Sequence, residues 1–502
     1  MEPHSKLRVP RGLWKGRANK QRGSNLASNH RPAKRHRFDS EETTEDGDTE
    51  EVFYVVECSP EPEDEPEMEN EPVVAPDSEK VEEWNDLKEL FFRATQMYDN
   101  DDISEALPLL RGVIHECHRL LLLYTDPSCL YNGLPRRTPS PEPISISPSA
   151  KPAKKCTCAE SPTAFHALLG TALFLFGNLI SQDSSLAVDD EPTHPATYWL
   201  AALDVFETGE NLPSRTSGRG CVAPEDWRMA IVWGRTLLAV ADEALSLSQG
   251  RKTAPPPPEP KWPSPAASPF AAIALRRPPA CRRITLSASP HDLLLLAMDQ
   301  FTRGIFHMPH PAHASEEAPV ETSRPFSRAT ELFTIAREVL ALAERLPTAS
   351  ERLRWATWAD GILQQMDMEG DTNREQWRGP VTRARGECWL VVGTARMEDI
   401  EAIAEDRGWD EEVLDSEDAE EAREGLNRAI EYFERAAGSA KGEFGDEVED
   451  MPDEQQQMHA FLAEALLTLA NLTKDETKRE ELYQRAQTLG GESFLEGMDV
   501  DD

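Results

Sequence analysis

His115, Glu116, Cys117 and His118 stand in one unbroken run, four potential metal ligands in four residues. On an α-helix His115 and His118 share a side, as a pair of zinc ligands would. A tetrahedral site needs a third and fourth ligand at a defined distance, and none sits at a characteristic spacing. Cys156 and Cys158 have a single residue between them, too few for a zinc knuckle. His307, His310 and His313 fall in a proline-broken loop that would hold a metal only weakly. For each group the plainer expectation is a core or solvated side chain. The sequence carries no GxSxG, no P-loop, and no GxGxxG leading from a strand into a helix. Paired carboxylates abound, but on helix faces and in charged runs, where solvation explains them. No enzyme and no cofactor are expected.

The elements that would position these residues are helices. Few β-branched runs and no strand-like alternation occur, so the class expected is all-α. Trp84, Leu87, Leu90 and Phe91 form one helical face, and Asp99–Asp102 interrupts it. Pro108 suits a first helical turn, so the next helix is expected from Pro108 to Tyr124. Further helices are expected over 163–180, 197–206, 224–248, 292–306, 329–345, 350–365 and 376–395. That amounts to three or four longer helices over 81–306 and three or four helical hairpins over 327–489. The apolar run Ala164–Ile180 contains His166, Gly170, Gly177 and Asn178, and reads as a buried helix rather than a membrane span.

The C-terminal part has the clearest pattern. Ala419, Ala422, Leu426, Ala429, Ile430, Phe433 and Ala436 recur three or four apart, which puts them on one face of a helix. Ala429, Phe433 and Ala436 have the small-aromatic-small spacing of the second helix of a tetratricopeptide repeat. Small residues there let two helix axes approach, and the ring is expected to plug the next groove. A second pair follows, with Phe461–Leu472 on one helix and Leu482, Tyr483, Ala486 and Leu489 on the next. Ala436 and Ala486 are 50 residues apart, 16 more than the repeat's 34, and Gly442–Gln457 would supply the excess. Two unrelated amphipathic helices are the competing explanation. The fold expected is a tetratricopeptide-like helical hairpin array with a disordered N-terminal arm and Pro-rich linkers.

Charge is uneven along the 502 residues. The formal net charge is -38, yet residues 1–37 hold eleven Lys and Arg against one acid, and 39–83 hold twenty acids against one Lys. Such blocks are solvated by default. Lys15, Arg17, Lys20 and Arg22, then Lys34, Arg35 and Arg37, form two basic clusters of the kind nuclear import receptors read. The same charges would also contact RNA phosphates, so nucleic acid stays open as a partner. The domain plan is an arm over 1–80, a helical part over 81–250 with a linker at 127–160, a Pro-rich linker over 251–290, a helical part over 291–490, and an acidic tail over 491–502. Eight cysteines at irregular spacing suit a reducing compartment.

The segment from Leu110 to Leu121, Leu-Arg-Gly-Val-Ile-His-Glu-Cys-His-Arg-Leu-Leu, resembles the GIVHECDRLLR segment of the fungal enhancer of translation termination family. The run from Leu426 through Glu431-Tyr432-Phe433-Glu434-Arg435-Ala436 to Leu472 is similar to that family too. His118 departs from it, standing where the family has an acid. The family is nuclear and tetratricopeptide-like, and includes negative regulators of an oxygen-sensing prolyl hydroxylase. The resemblance implies a non-enzymatic nuclear adaptor that promotes correct translation termination and regulates hypoxic gene expression through protein contacts. Its partners would be the termination machinery or a prolyl hydroxylase regulator, reached through the array, and an import receptor, with no membrane involved. The alternative is an RNA- or ribosome-binding factor acting through the basic arm.

Overall fold

The computed structural model describes residues 78–132, 160–188, 191–212, 226–250, 284, 288–310, 326–369, 374–407, 411–440 and 453–490. The basic arm, most of the acidic stretch, both Pro-rich linkers apart from their ends, and the acidic tail lie outside these residues. Among the described residues there is no strand. The fold is an all-α, tetratricopeptide-like array of helical hairpins.

The first hairpin joins α1 (Ser78–Asp99) to α2 (Ile103–Leu123). Its turn explains why α2 begins five residues before Pro108. Asp101 takes the left-handed conformation at φ 59, and the Asp102 amide donates to the Met97 carbonyl at 3.0 Å, closing α1 as a C-terminal cap does. The Asp102 side chain then accepts from the Glu105 amide at 3.2 Å and starts α2 at once. Pro108 is carried inside the helix, where it forgoes one backbone bond.

The residues after α2 are less of a linker than their composition suggests. Pro127–Leu130 forms a 3-10 turn. The buried Tyr131 hydroxyl donates to the Pro162 carbonyl at 3.0 Å and accepts from the Phe165 amide at 3.3 Å. Glu160 accepts from the Trp84 indole at 3.0 Å and from Lys88 at 2.6 Å. Both ends of the segment between α2 and the next helix are therefore fastened to the first hairpin.

The second hairpin pairs α3 (Ala164–Gln182) with α4 (Pro195–Glu210), and the third pairs α5 (Trp227–Gly250) with α6 (Pro290–His307). The described residues of 78–307 thus form three hairpins rather than three or four longer helices. Helix α3 is apolar and long enough to cross a bilayer, but 72% of its most apolar window is buried against other helices. Next come α7 (Arg328–Ala343) with α8 (Ala349–Glu369), and α9 (Arg374–Thr394) with α12 (Glu417–Ala440). The short helices α10 (Met397–Arg407) and α11 (Glu411–Leu414) lie between α9 and α12 in the chain. Helices α13 (Asp453–Asn471) and α14 (Glu476–Gly490) form the last pair.

The array continues from α5 into α6 and α7. One apolar core runs from Trp84 to Trp355 and includes Leu237 and Val240 of α5, Leu293 and Phe301 of α6, and Leu332 of α7. Arg235 of α5 reaches Glu331 at 2.8 Å and Glu338 at 2.9 Å, both on α7. Arg328 of α7 donates to the Ile305 and Met308 carbonyls at 2.9 and 3.1 Å, satisfying the orphan acceptors at the end of α6.

One packing device recurs in three hairpins. A glycine on one helix receives an aromatic ring from its antiparallel mate: Phe206 lies over Gly170, Phe301 over Gly234, and Phe433 over Gly386. In each case a β-carbon on the glycine would come within 2.2–2.7 Å of the ring. The missing side chain is the space the ring fills.

Candidate functional site

The described residues form a pocket of about 320 Å³ where the end of α2 meets α3 and α4. Its position follows from the α3 sequence. His166, Gly170 and Gly177 lie on one stripe at helical spacing, and each meets α4 closely. Trp199 crosses Gly177, Phe206 covers Gly170, and Gly209 accepts the side of the His166 ring. Trp199 donates its indole N–H to Asn178 at 3.0 Å, and Asn178 donates to the Tyr98 hydroxyl at 3.3 Å, tying α3 and α4 back to α1. The helices are locked together along this stripe and open beyond His166, where Leu121, Leu122 and Thr125 form the far wall.

The pocket has apolar sides and polar groups set deep. Leu169, Val205 and Leu212 line it with Thr208, Asp204 and His166. Asp204 is 4% exposed and His166 3%. The Thr208 hydroxyl is turned to the Asp204 carbonyl at 2.7 Å, one turn back on α4. No hydrogen-bond partner reaches His166 Nδ1 among the described residues. Burial holds this imidazole down to about 4, with the Asp126 carboxylate acting weakly in the opposite direction, so it is neutral at pH 7. At the rim Leu122 is 64% exposed, and its neighbour Leu123 61%. Buried polar side chains thus sit beneath an apolar wall.

The histidine-cysteine run lies on α2, and the helix separates its members. Cys117 is buried, its thiol pushed well up by loss of solvent, whereas His115 is exposed and His118 half-buried. Among the described residues no three His, Cys, Asp or Glu side chains are grouped to hold a metal. His307 is the last residue of α6 and His310 follows it, while His313, Cys156 and Cys158 lie outside the described residues.

The repeat residues are in the last two hairpins. Ala429, Phe433 and Ala436 are buried on α12, and Ala486 is buried on α14. Tyr483 is half-buried, its hydroxyl donating to Asn471 at 2.6 Å. The Phe433 ring does two jobs. It covers Gly386 within its own hairpin, and it stacks on Phe461 of α13 with ring centres 5.9 Å apart. The acidic run 398–424 spans α10, α11 and the start of α12. Glu411, Glu412, Glu417 and Glu420 point to solvent, while Asp418 and Glu421 pair with Arg396. Lys15, Arg17, Lys20, Arg22, Lys34, Arg35 and Arg37 lie outside the described residues.

The pocket was not foreseen from the sequence. Its one visible sign was a histidine and two glycines inside the apolar run Ala164–Ile180. A purely buried helix has little use for them, and a helix shaped around a ring and a pocket does.

No family model and no curated protein matches the chain. Among solved structures it is similar to the S. pombe nuclear import adaptor Nro1 in two crystal forms. Identity is 12% in both, with TM-scores of 0.43 and 0.42, over 84% and 86% of this chain and 96% of each of those. A third structure, described as the hypoxic regulator of sterol synthesis Nro1, a nuclear import adaptor, has 12% identity and a TM-score of 0.42 over 84% of this chain and 90% of that one.

Proposed function

We propose that the chain is a non-enzymatic nuclear adaptor that works by presenting the surfaces of its helical hairpins to protein partners. The observation that carries this reading is the array itself, which combines a stacked core running from Trp84 to Trp355 with a pocket lined by the exposed Leu122, next to the exposed Leu123 in the chain. Stacked hairpins present a long surface to partners while each contacts chiefly its neighbours. Large apolar side chains exposed beside a concavity are what a partner covers.

Nuclear residence is supported by the two basic clusters, Lys15, Arg17, Lys20 and Arg22, and Lys34, Arg35 and Arg37. The finer reading, promotion of correct translation termination and control of hypoxic gene expression, is supported by the family resemblance of Leu110–Leu121 and of the run from Leu426 to Leu472. Imaging a tagged chain with all seven basic residues changed to Ala tests residence: loss of nuclear signal is expected, and an unchanged signal removes the arm from the account. Stop-codon readthrough in cells lacking the protein tests the finer role. Readthrough should rise, and an unchanged level would sink the termination reading while leaving the adaptor reading open to partner capture.

A second reading is favoured by one feature of the arm, its eleven Lys and Arg against one acid, which suits RNA or ribosomal phosphates. Salt separates the two: phosphate contacts weaken steeply as it rises, and apolar contacts do not.

A further inference from the structure

We propose that the pocket between α2, α3 and α4 takes one large apolar side chain, leucine to phenylalanine in size, from a short basic segment of a partner protein. The proposal rests on the adaptor reading and says what one of its docking points recognises. A pocket of about 320 Å³ admits a side chain rather than a folded element. Leu121, Leu122, Leu169, Val205 and Leu212 give it an apolar wall. Its polar members ask nothing of an occupant. The Thr208 hydroxyl already donates to the Asp204 carbonyl at 2.7 Å, Asp204 is engaged within the fold, and the His166 ring is seated against Gly209. Asp204 Oδ1 and His166 Nδ1 are shut off from solvent, so an occupant strips no water from them. What remains is apolar surface to be taken out of water, the exposed Leu122 included, and an apolar group does that best.

The charges around the mouth set the sign of the flanks. Helix α2 ends there with no basic residue in its last turn, and Arg119, one turn earlier, is taken up by Glu83 and Glu116. Among the described residues no amide bonds the Leu122 or Leu123 carbonyl, so the helix presents open acceptors and the negative end of its dipole. Asp126 follows shortly after, and its carboxylate is felt at His166. Glu207 and Glu210 stand in the last turn of α4, with Arg303 bonding Glu210 at 3.2 Å. The start of α3 has the opposite polarity, but its first two amides are in use. Ala164 donates to the Ser161 carbonyl at 3.0 Å and Phe165 to the Tyr131 hydroxyl at 3.3 Å. Lys or Arg beside the apolar residue would therefore meet carbonyls and carboxylates. A net charge of -38 draws such a segment in at long range and repels an acidic one.

Selection from a displayed library of short random peptides, with the full chain as bait, tests this. The selected sequences should share one large apolar residue beside a pair of Lys or Arg. Alanine in place of the apolar residue should weaken binding by roughly 30-fold, and glutamine in place of both bases by a smaller factor that shrinks as salt rises. A photoreactive diazirine analogue of leucine at the apolar position should cross-link to residues 121–125, 169 or 205–212. Thr125→Trp, which fills the mouth from an exposed position, should weaken binding by roughly 10-fold or more. Leu122→Ser, also at an exposed position, should weaken it less. Unchanged thermal unfolding shows that the fold is kept; should Thr125→Trp shift it, Leu122→Ser and the cross-link decide.

Selected peptides that lack a large apolar residue, peptides with neutral or acidic flanks that bind as tightly as basic ones, or no binder at all would each overturn the proposal. So would cross-links elsewhere on the chain, or affinity unchanged by both variants. The adaptor reading is scored separately, by capture of protein partners on the full chain. Partners retained by the Thr125→Trp chain would uphold that reading while this one fails.

Discussion

Gly393 on α9 and Gly425 on α12 meet backbone to backbone. A β-carbon on Gly425 would lie 2.8 Å from the Gly393 nitrogen and 2.9 Å from its Cα, closer than non-bonded atoms approach. This contact, with Phe433 seated over Gly386 further along, sets how tightly the fifth hairpin closes. Glycine lowers helix propensity by up to about 1 kcal/mol against alanine, so its presence in two helix interiors has to be offset by packing.

Gly425→Ala should therefore destabilise the protein by about 1–3 kcal/mol, since the overpacking outweighs the propensity gained. Gly361→Ala is the internal control, because a β-carbon there meets nothing within 4 Å. It should stabilise by about 0.5–1 kcal/mol. Denaturant midpoints for the two variants check both signs.

His166 predicts a specific acid sensitivity. Its imidazole is held down to about 4 in the folded chain, against an ordinary value near 6.5. Between those values the unfolded chain binds a proton that the folded chain does not, so stability falls as pH drops from about 6.5 to about 4 and this loss is complete below. The shift corresponds to roughly 3 kcal/mol. Unfolding free energies measured across that range should fall less for His166→Gln than for the unaltered chain.

Arg235 ties the third hairpin to α7 through Glu331 and Glu338, the latter pushed above the usual carboxylate range chiefly by burial. Arg235→Met removes the cation and leaves two carboxylates facing each other. A cost of about 2–4 kcal/mol is expected. Hydrogen exchange should show the loosening centred on α5 and α7, with α13 and α14 unaffected.

Ala429 is fully buried on α12. A carboxylate there has no charge partner by design, so Ala429→Asp should cost about 3 kcal/mol or more. In a stack of hairpins the damage spreads chiefly to neighbours, so α9 to α14 should loosen while α1 to α4 keep their protection. Uniform loss of protection along the chain would mean that the hairpins unfold as one block.

Much of this architecture was legible because helical amphipathicity is written locally. The stripe from Ala419 to Ala436 marks the buried face of α12, and Asp99–Asp102 marks the first turn. What escaped was what depends on a partner helix far along the chain. Pro108 looked like a helix start because proline suits a first turn, yet the cap at Asp102 and the left-handed Asp101 decided the boundary. Tyr131 stood in a stretch with linker composition, and its bonds to residues 162 and 165 exist only once α3 is in place. Small residues at 429 and 436 suit points of close approach, and both are buried. A backbone-to-backbone crossing is nevertheless made by Gly393 and Gly425, two glycines 32 positions apart with no signature of their own. The pocket was hidden for the same reason, since Leu122, His166 and Asp204 come from three helices.

The most direct test of the central claim is capture of partners by the full chain from nuclear extract, before and after nuclease treatment and a rise in salt. The account predicts protein partners that survive both treatments and fall away when Leu122 and Leu123 are changed to Glu, with the array still folded. Partners released by nuclease or salt, and retained by residues 1–37 alone, would contradict it and make the chain a nucleic-acid-binding factor that works through its arm.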